Sequence, residues 1–251
     1  MAGAITFDFH NTLIACDSWF ELETRTLPVQ VVARLANHGV SLLVHPENQV
    51  LEQTYRGLRQ EIMAHGNELD AVAGMMETLR RLNLHIAEDV VAEIVDELFR
   101  ELVPESSPLA GVLPLVQALA ERDIPLGVVS SAVHHEFLEW CLVRHGLGES
   151  ISVVVSSARA GFYKSNPEIY RIALAQLGAD ARESIHVGDS FRFDHQSSSA
   201  IGMGTVWLNQ ERIGPPADAV GLPDLELASY DAALQAILDL FTSRKQVSIA
   251  H

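Results

Sequence analysis

The sequence predicts an α/β protein with a parallel-sheet core, helices on both faces and an inserted all-helical subdomain. Two apolar runs, Ile5-Thr6-Phe7 and Ile185-His186-Val187, end in acids at Asp8 and, one glycine later, Asp189. From residue 105 onward, helical periods alternate with short apolar runs, which is the rhythm of βαβ units. Residues 17–104 carry helical periods only.

Residues 3–9 read as the first strand, delivering Asp8 to its carboxyl end, where open α/β sheets place their ligands. Helical periods follow at 19–38, 46–65, 69–82 and 88–102. They are broken by Gly39, Gly66 and Asn83, with Pro104 beyond the last. Glu88 and Asp89 fall in a first turn, where carboxylates are favoured. After Pro104-Glu105-Ser106-Ser107-Pro108 come four pairs: helix 109–121 and strand 124–129, helix 133–145 and strand 151–155, helix 167–177 and strand 184–187, helix 194–201 and strand 204–208. Pro215-Pro216 marks a late loop, and residues 230–242 predict a closing helix with Ser229 as its N-cap. Residues 244–251 have little to bury and predict a frayed tail. The division is therefore a core of 1–16 and 105–243, a helical cap of 17–104 that covers the strand ends as a lid, and a disordered tail.

A chain of 251 residues accommodates one large domain with an insertion. Its net charge of -16 argues against a nucleic-acid partner, because phosphate backbones are bound by clustered Lys and Arg. A small phosphorylated metabolite is not excluded, since one cation and a few basic side chains override the global field locally. No apolar stretch approaches the roughly 20 residues of a spanning helix, so no membrane partner is expected. The N-terminus enters a strand directly, without the pattern of a secretory signal. Cys16 and Cys141 lack metal-ligand spacing and read as reduced thiols of a cytoplasmic protein.

Asp8, Asp189 and Asp194 offer three carboxylates from two strand ends, the oxygen-only set a hard cation such as Mg²⁺ prefers. A carboxylate can also act as a nucleophile, splitting one hard step into two through an acyl-phosphate. Ser130 follows the strand at 124–129, with Ser131 equally placed by sequence. Lys164 precedes a helix with Pro167 near its first turn, where its charge could offset charge developing on phosphorus.

These segments, in this order, resemble the four motifs of the haloacid dehalogenase superfamily. The first is Asp8-Phe9-His10-Asn11-Thr12, against the usual Asp-x-Asp-Gly-Thr; the second is Ser130, the third Lys164, and the fourth Gly188-Asp189-Ser190-Phe191-Arg192-Phe193-Asp194. The resemblance spans residues 3 to about 242. It implies a Rossmann-like core, a type 1 helical cap, Mg²⁺ and a covalent aspartyl intermediate. On it, Asp8 is the nucleophile. Thr12 supports the first loop and joins Ser130 and Lys164 in holding phosphate. Asp8, Asp189, Asp194 and the main-chain carbonyl of His10 bind the metal.

Position 10 departs from the pattern. The family's phosphatases carry an acid/base aspartate there, and this chain has His10. An imidazole could take over the proton traffic. It could instead only pack, or the chemistry could differ. Dehalogenase chemistry fits poorly with Asp189 and Asp194, because those enzymes work without metal. Phosphonate hydrolysis needs a cap lysine, and residues 16–107 contain none. Asn11 replaces glycine in a turn that asparagine tolerates. Ser165 replaces a common proline, and Phe193 a common asparagine.

In the cap, Tyr55, Arg56, Arg59, His65 and Cys16-Asp17-Ser18-Trp19 are the side chains that could face a substrate. The expectation for Arg56 and Arg59 is a solvated face, with Arg56 paired to Glu52 or Gln60. His134, His135, His186 and His195 read as structural. The expected function is a Mg²⁺-dependent phosphatase of a small organic phosphate monoester. C–halogen hydrolysis by the same nucleophile is the enzymatic alternative, and a catalytically weak ligand- or partner-binding protein is the other.

Overall fold

The chain is described over residues 3–43 and 45–249 by a computed structural model. Strand β1 (Ile5–Phe7) is wholly buried, with partners on both edges and both faces covered. A two-residue strand, β2 (Ile14–Ala15), pairs antiparallel with β3 (Ser107–Pro108). The remaining strands are β4 (Leu126–Ser130), β5 (Val153–Ser156), β6 (Ile185–Gly188), β7 (Gly204–Leu208) and β8 (Leu225–Leu227). The main sheet runs β5-β4-β1-β6-β7-β8, and every pair in it is parallel. Strand order reverses around β1, with β4 on one side and β6 on the other. That switch point is where such sheets open a crevice beyond their carboxyl ends.

Successive residues of a strand point to opposite faces, and the core divides accordingly. Phe7, Val128 and Val187 enter one large cluster, whereas Val129 joins Val155, Ile169, Tyr170 and Leu174 in a second. Helix α9 (Glu168–Leu177) packs on β4 and β5, and the C-terminal helix Ala233–Ile249 packs on β7 and β8, so both faces are flanked by helices.

Between β2 and β3 the chain is helical. It runs through Asp17–Glu21, a π-helical turn Leu22–Thr26, then Leu27–Arg34, Asn48–His65, Ala71–Arg81 and Glu88–Leu102. These are labelled α1, α2, α3, α4 and α5 without the π turn. Helices α2 to α5 pack on one another, each burying an apolar stripe such as Val91, Ile94, Val95, Leu98 and Phe99 of α5. The breaks expected at Gly39, Gly66 and Asn83 all have left-handed backbone. The chain leaves the core through β2 and returns beside it through β3, so the two-strand ribbon forms the neck of the insertion. Helices α6 (Val112–Ala120), α7 (His135–Arg144), α8 (Ser157–Ala160), α9 and α10 (Ser197–Ser199) then alternate with the strands, and α11 is Ala233–Ile249.

Three details differ from the sequence reading. Strands β2, β3 and β8 were not expected. The closing helix begins at Ala233, three residues past the expected start, and Ser229 sits in the turn before it, where its hydroxyl accepts from the Asp231 N–H. Residues 244–249 of the expected disordered tail are helical. The Arg244 guanidinium donates to Arg182 O (3.0 Å) and Gly202 O, and those bonds fasten the segment to the core. The last two residues of that expected tail lie outside the described residues. Among the described helices none is long and apolar enough to cross a membrane.

Candidate active site

Asp8 lies just past the end of β1, where its N–H donates to Val187 O at 2.8 Å. The chain then closes a tight loop: the N–H groups of Leu13 and Ile14 both donate to Phe9 O, and that of Asn11 to Ile14 O. The loop requires left-handed backbone at Asn11 (φ 55°), which asparagine adopts at modest cost. The departure from glycine at this position is thereby accommodated.

Strand β6 ends in Gly188, and after Asp189 the chain turns into a π-helical stretch, Phe191–Gln196. Ser190 shapes the turn. Its Oγ accepts from the Phe193 N–H, and its own N–H donates to Asp194 Oδ2 at 2.8 Å. Asp194 is folded back so closely that a Cβ at position 188 would overlap its carboxylate, so glycine is required there. His186 Nε2 lies 3.1 Å from Asp194 Oδ1, and its Nδ1 lies 2.8 Å from Thr6 Oγ1. Burial pushes the His186 pKa down, which favours a neutral ring donating from Nε2 and accepting at Nδ1. The Trp207 indole N–H fixes the neighbouring main chain by donating to Asp189 O at 2.8 Å.

Asp8, Asp189 and Asp194 each bring an oxygen within 4.8 Å of the others. Burial, reinforced by repulsion from Asp8 and Asp194, pushes the Asp189 carboxyl up to about 8. Lys164 Nζ bridges two of the acids, 2.5 Å from Asp8 Oδ1 and 2.6 Å from Asp194 Oδ1. Burial opposes the lysine charge, but the carboxylates on either side lift its pKa above the ordinary lysine range. Burial also opposes ionisation of Asp194, yet Lys164 and His186 hold that carboxyl well below the usual range. The set is an all-oxygen cluster with surplus negative charge, the donor chemistry that suits a hard divalent cation.

Ser130 ends β4 and stands on the wall of the same cleft. Ser131 Oγ accepts from the Lys164 N–H at 3.3 Å and lines the cleft as well, so both hydroxyls keep a proton to donate to a ligand. Thr12 is fully buried, does not line the cleft, and its Oγ1 has no hydrogen-bond partner among the described residues, so this expected phosphate-binding residue does not face a ligand.

The helical insertion lies over these strand ends and encloses a cleft of about 640 Å³. It also holds the loop that carries Lys164. The Glu68 N–H donates to Gly161 O (2.9 Å), the Tyr163 N–H to Gly66 O (3.0 Å) and Ser165 Oγ to Met63 O (2.9 Å). Ser165, in place of the common proline, therefore contributes an extra tie.

His10 lines the cleft between two rings of the insertion. It stacks on Phe20 (centroids 4.9 Å apart, 5° between planes) and meets Trp19 edge-on at 5.2 Å. Burial pushes its pKa down, against an opposing pull from Asp8. Its Nε2, like Trp19 Nε1, is buried without a hydrogen-bond partner among the described residues.

Of the cap candidates, Trp19, Arg56 and Arg59 reach the cleft, while Tyr55 and His65 do not line it. The solvated face expected for the arginines holds for Arg56 alone. Arg59 is buried and makes a two-pronged pair with Glu68, at 2.5 and 3.2 Å. Glu52 pairs with Arg25 at 3.8 Å rather than with Arg56. Among the other expected structural histidines, His135 bonds Ser156 and Glu139, and His195 bonds Thr205.

Sequence reasoning missed Glu23. It is 5% exposed, lines the cleft, and its Oε2 accepts from the Val133 N–H at 3.0 Å. Burial pushes its carboxyl up to about 8, against the pull of Arg59 and of that N–H. The sign follows directly. Between the unfolded value of 4.5 and the folded value of about 8, the unfolded chain is ionised while the folded one keeps its proton, so stability falls as pH rises through that window. Glu23→Gln keeps the shape and removes the titration. Its gain in stability over wild type should be absent near pH 4 and grow to on the order of a few kcal/mol by pH 8. Melting curves of both proteins across this range test it, and a gain that does not change with pH would refute it.

Comparison with known proteins places this arrangement. The chain is 26% identical over 191 residues to a glyceraldehyde 3-phosphate phosphatase of Methanopyrus kandleri, covering 75% of this chain and 81% of that protein. Its fold matches a 2-haloacid dehalogenase from Pseudomonas syringae with a TM-score of 0.69 at 21% identity, over 95% of this chain and 99% of that one. It also matches a putative HAD-hydrolase, YfnB from Bacillus subtilis, bound to magnesium, with a TM-score of 0.61 at 16% identity, over 94% and 98% of the two chains. Residues 2–202 match the sequence model of the haloacid dehalogenase-like hydrolases, and the chain is a hydrolase belonging to that family.

Proposed function

We propose that the protein is a Mg²⁺-dependent phosphatase of small organic phosphate monoesters, acting through an aspartyl-phosphate on Asp8. The carrying observation is the placement of Asp8 at the switch point, bridged to Lys164 and gathered with Asp189 and Asp194. The phosphatase of Methanopyrus kandleri among its relatives supports the same reading.

In this reading Asp8, Asp189, Asp194 and the main-chain carbonyl of His10 hold the Mg²⁺. Bound there, the cation supplies charge neutralisation at the phosphoryl oxygens. The chain's own groups do the rest. Asp8 attacks phosphorus, forming an Oδ–P bond as the ester P–O bond breaks. Lys164 and the Ser130 hydroxyl donate to the phosphoryl oxygens as charge builds on them. Asp194 is kept ionised and aimed by His186 and the Ser190 N–H. His10, whose ring lines the cleft, accepts the proton of the water that hydrolyses the aspartyl-phosphate. The substrate is a small phosphorylated metabolite rather than nucleic acid, in keeping with a cleft of about 640 Å³ in a chain of net charge -16. Two free buried thiols, Cys16 and Cys141, fit a reducing cytoplasm.

Phosphate release from a panel of small esters, with Mg²⁺ and with EDTA, is the test. EDTA should lower release by on the order of 100-fold or more. Release unaffected by EDTA, or metal-independent halide release from 2-haloacids in its place, would overturn the reading.

A further inference from the structure

Position 10 leaves a gap in the chemistry. The oxygen expelled from phosphorus needs a proton, and His10 offers no carboxyl there to give it. Four carboxyl groups line the cleft, and Asp8, Asp189 and Asp194 are committed to the cluster at the strand ends. Glu23 is the fourth, and it comes from the helical insertion rather than the core.

We propose that Glu23 is the general acid that protonates the leaving oxygen. The assignment rests on the phosphatase reading above. Glu23 stands in the wall that the insertion contributes to the cleft shared with Asp8, Ser130 and Lys164. A leaving group displaced in line from Asp8 departs away from the sheet, on the side that the insertion covers. As the P–O bond breaks, its electron pair stays on the ester oxygen, which takes the carboxyl proton. The products of the step are the alcohol, the Asp8 acyl-phosphate and the Glu23 carboxylate, which recovers a proton from solvent before the next turnover.

Local structure aims the group. Glu23 follows Trp19 by four residues and Leu22 by one, so it shares their buried helix face. The Glu23 carbonyl accepts from the Tyr55 hydroxyl at 2.9 Å, and its carboxyl accepts from the Val133 N–H of the core. The acid is therefore seated only when the insertion rests on the core, which ties proton donation to an enclosed cleft. The ionisable groups that face it are Arg59 and Tyr55 of α3, Glu68 of the following loop, Asp8 beyond β1 and Tyr163 of the Lys164 loop. Arg59 favours the carboxylate, but its charge is already matched by Glu68. Burial favours the protonated Glu23 carboxyl, the form a general acid must have.

The experiment compares Glu23→Gln with wild type on a series of phosphate esters whose leaving alcohols span alkyl to p-nitrophenyl, with Mg²⁺ present. An alkoxide needs the proton, whereas p-nitrophenolate leaves with little help. The kcat loss should be about 100-fold or more on the alkyl ester and shrink steadily as the leaving group becomes more acidic. Wild-type kcat on the alkyl ester should fall as pH rises through the Glu23 value of about 8, and that limb should be absent in the variant. Glu23→Asp, which keeps a carboxyl, should recover part of the alkyl-ester rate. A loss of equal size on every ester, or none, overturns the assignment and leaves the phosphatase reading standing. Failure of wild type to release phosphate from any ester, p-nitrophenyl phosphate included, overturns both.

Discussion

Asp8→Asn should reduce phosphate release by about 10⁴-fold or more while the protein stays folded. The amide has the shape of the carboxylate but cannot form the covalent phosphoryl intermediate, so the loss falls on the chemical step rather than on binding. Stability should survive for a local reason. Asp8 is one of three carboxylates crowded within 4.8 Å, and Lys164 keeps a second partner in Asp194 at 2.6 Å. Neutralising Asp8 removes one charge-assisted hydrogen bond but also relieves like-charge repulsion. The melting temperature should therefore stay within a few degrees of wild type. Kinetics and melting on the same preparation check both halves. Wild-type turnover in this variant would end the covalent mechanism, and an unfolded variant would end the claim that Asp8 is dispensable to the fold.

The strand ends could be read from sequence because their physics is local. Ile5-Thr6-Phe7 and Ile185-His186-Val187 are buried on both faces, and an acid at the end of such a run has nowhere to go but the crevice. The missed elements lack a local signal. Strands β2 and β3 have two residues each, too few for any period, and exist because the ends of the insertion meet. Strand β8 is only half-buried and hydrogen-bonds on one edge. The C-terminal turns look polar and solvated until Arg244 reaches the carbonyl of Arg182, sixty-two residues away.

Glu23 was hidden for another reason. Glu23 lies four residues after the buried Trp19 and next to the buried Leu22, on the inward face of the helix, but its neighbours Glu21 and Arg25 make it read as one more surface charge. Asp194 also sits in a π turn, Phe191–Gln196, and there a preceding strand and the Gly188-Asp189 pair announce it.

Lys164→Met should cost both catalysis and stability, and added Mg²⁺ should restore mainly the second. The lysine is 3% exposed and is the bridge between Asp8 and Asp194. Deleting one partner of a buried ion pair leaves the other charges unpaired, at a cost of about 3–5 kcal/mol. For a chain of this size that lowers the melting temperature by on the order of 10 °C. Methionine fills much of the volume, so the loss would not come from an empty cavity. A divalent cation among the carboxylates offsets the same surplus charge, so the deficit measured in EDTA should narrow in Mg²⁺. Catalysis has no such substitute. With the ammonium gone, one of the donors facing the phosphoryl oxygens is lost, and kcat should fall by about 10²–10³-fold even when the fold is rescued. A variant that melts with wild type in EDTA would mean that Lys164 does not hold the carboxylates together. One that melts early but regains full activity in Mg²⁺ would make the lysine a purely structural counter-charge, and the phosphoryl-binding role would pass to Ser130 and the metal alone.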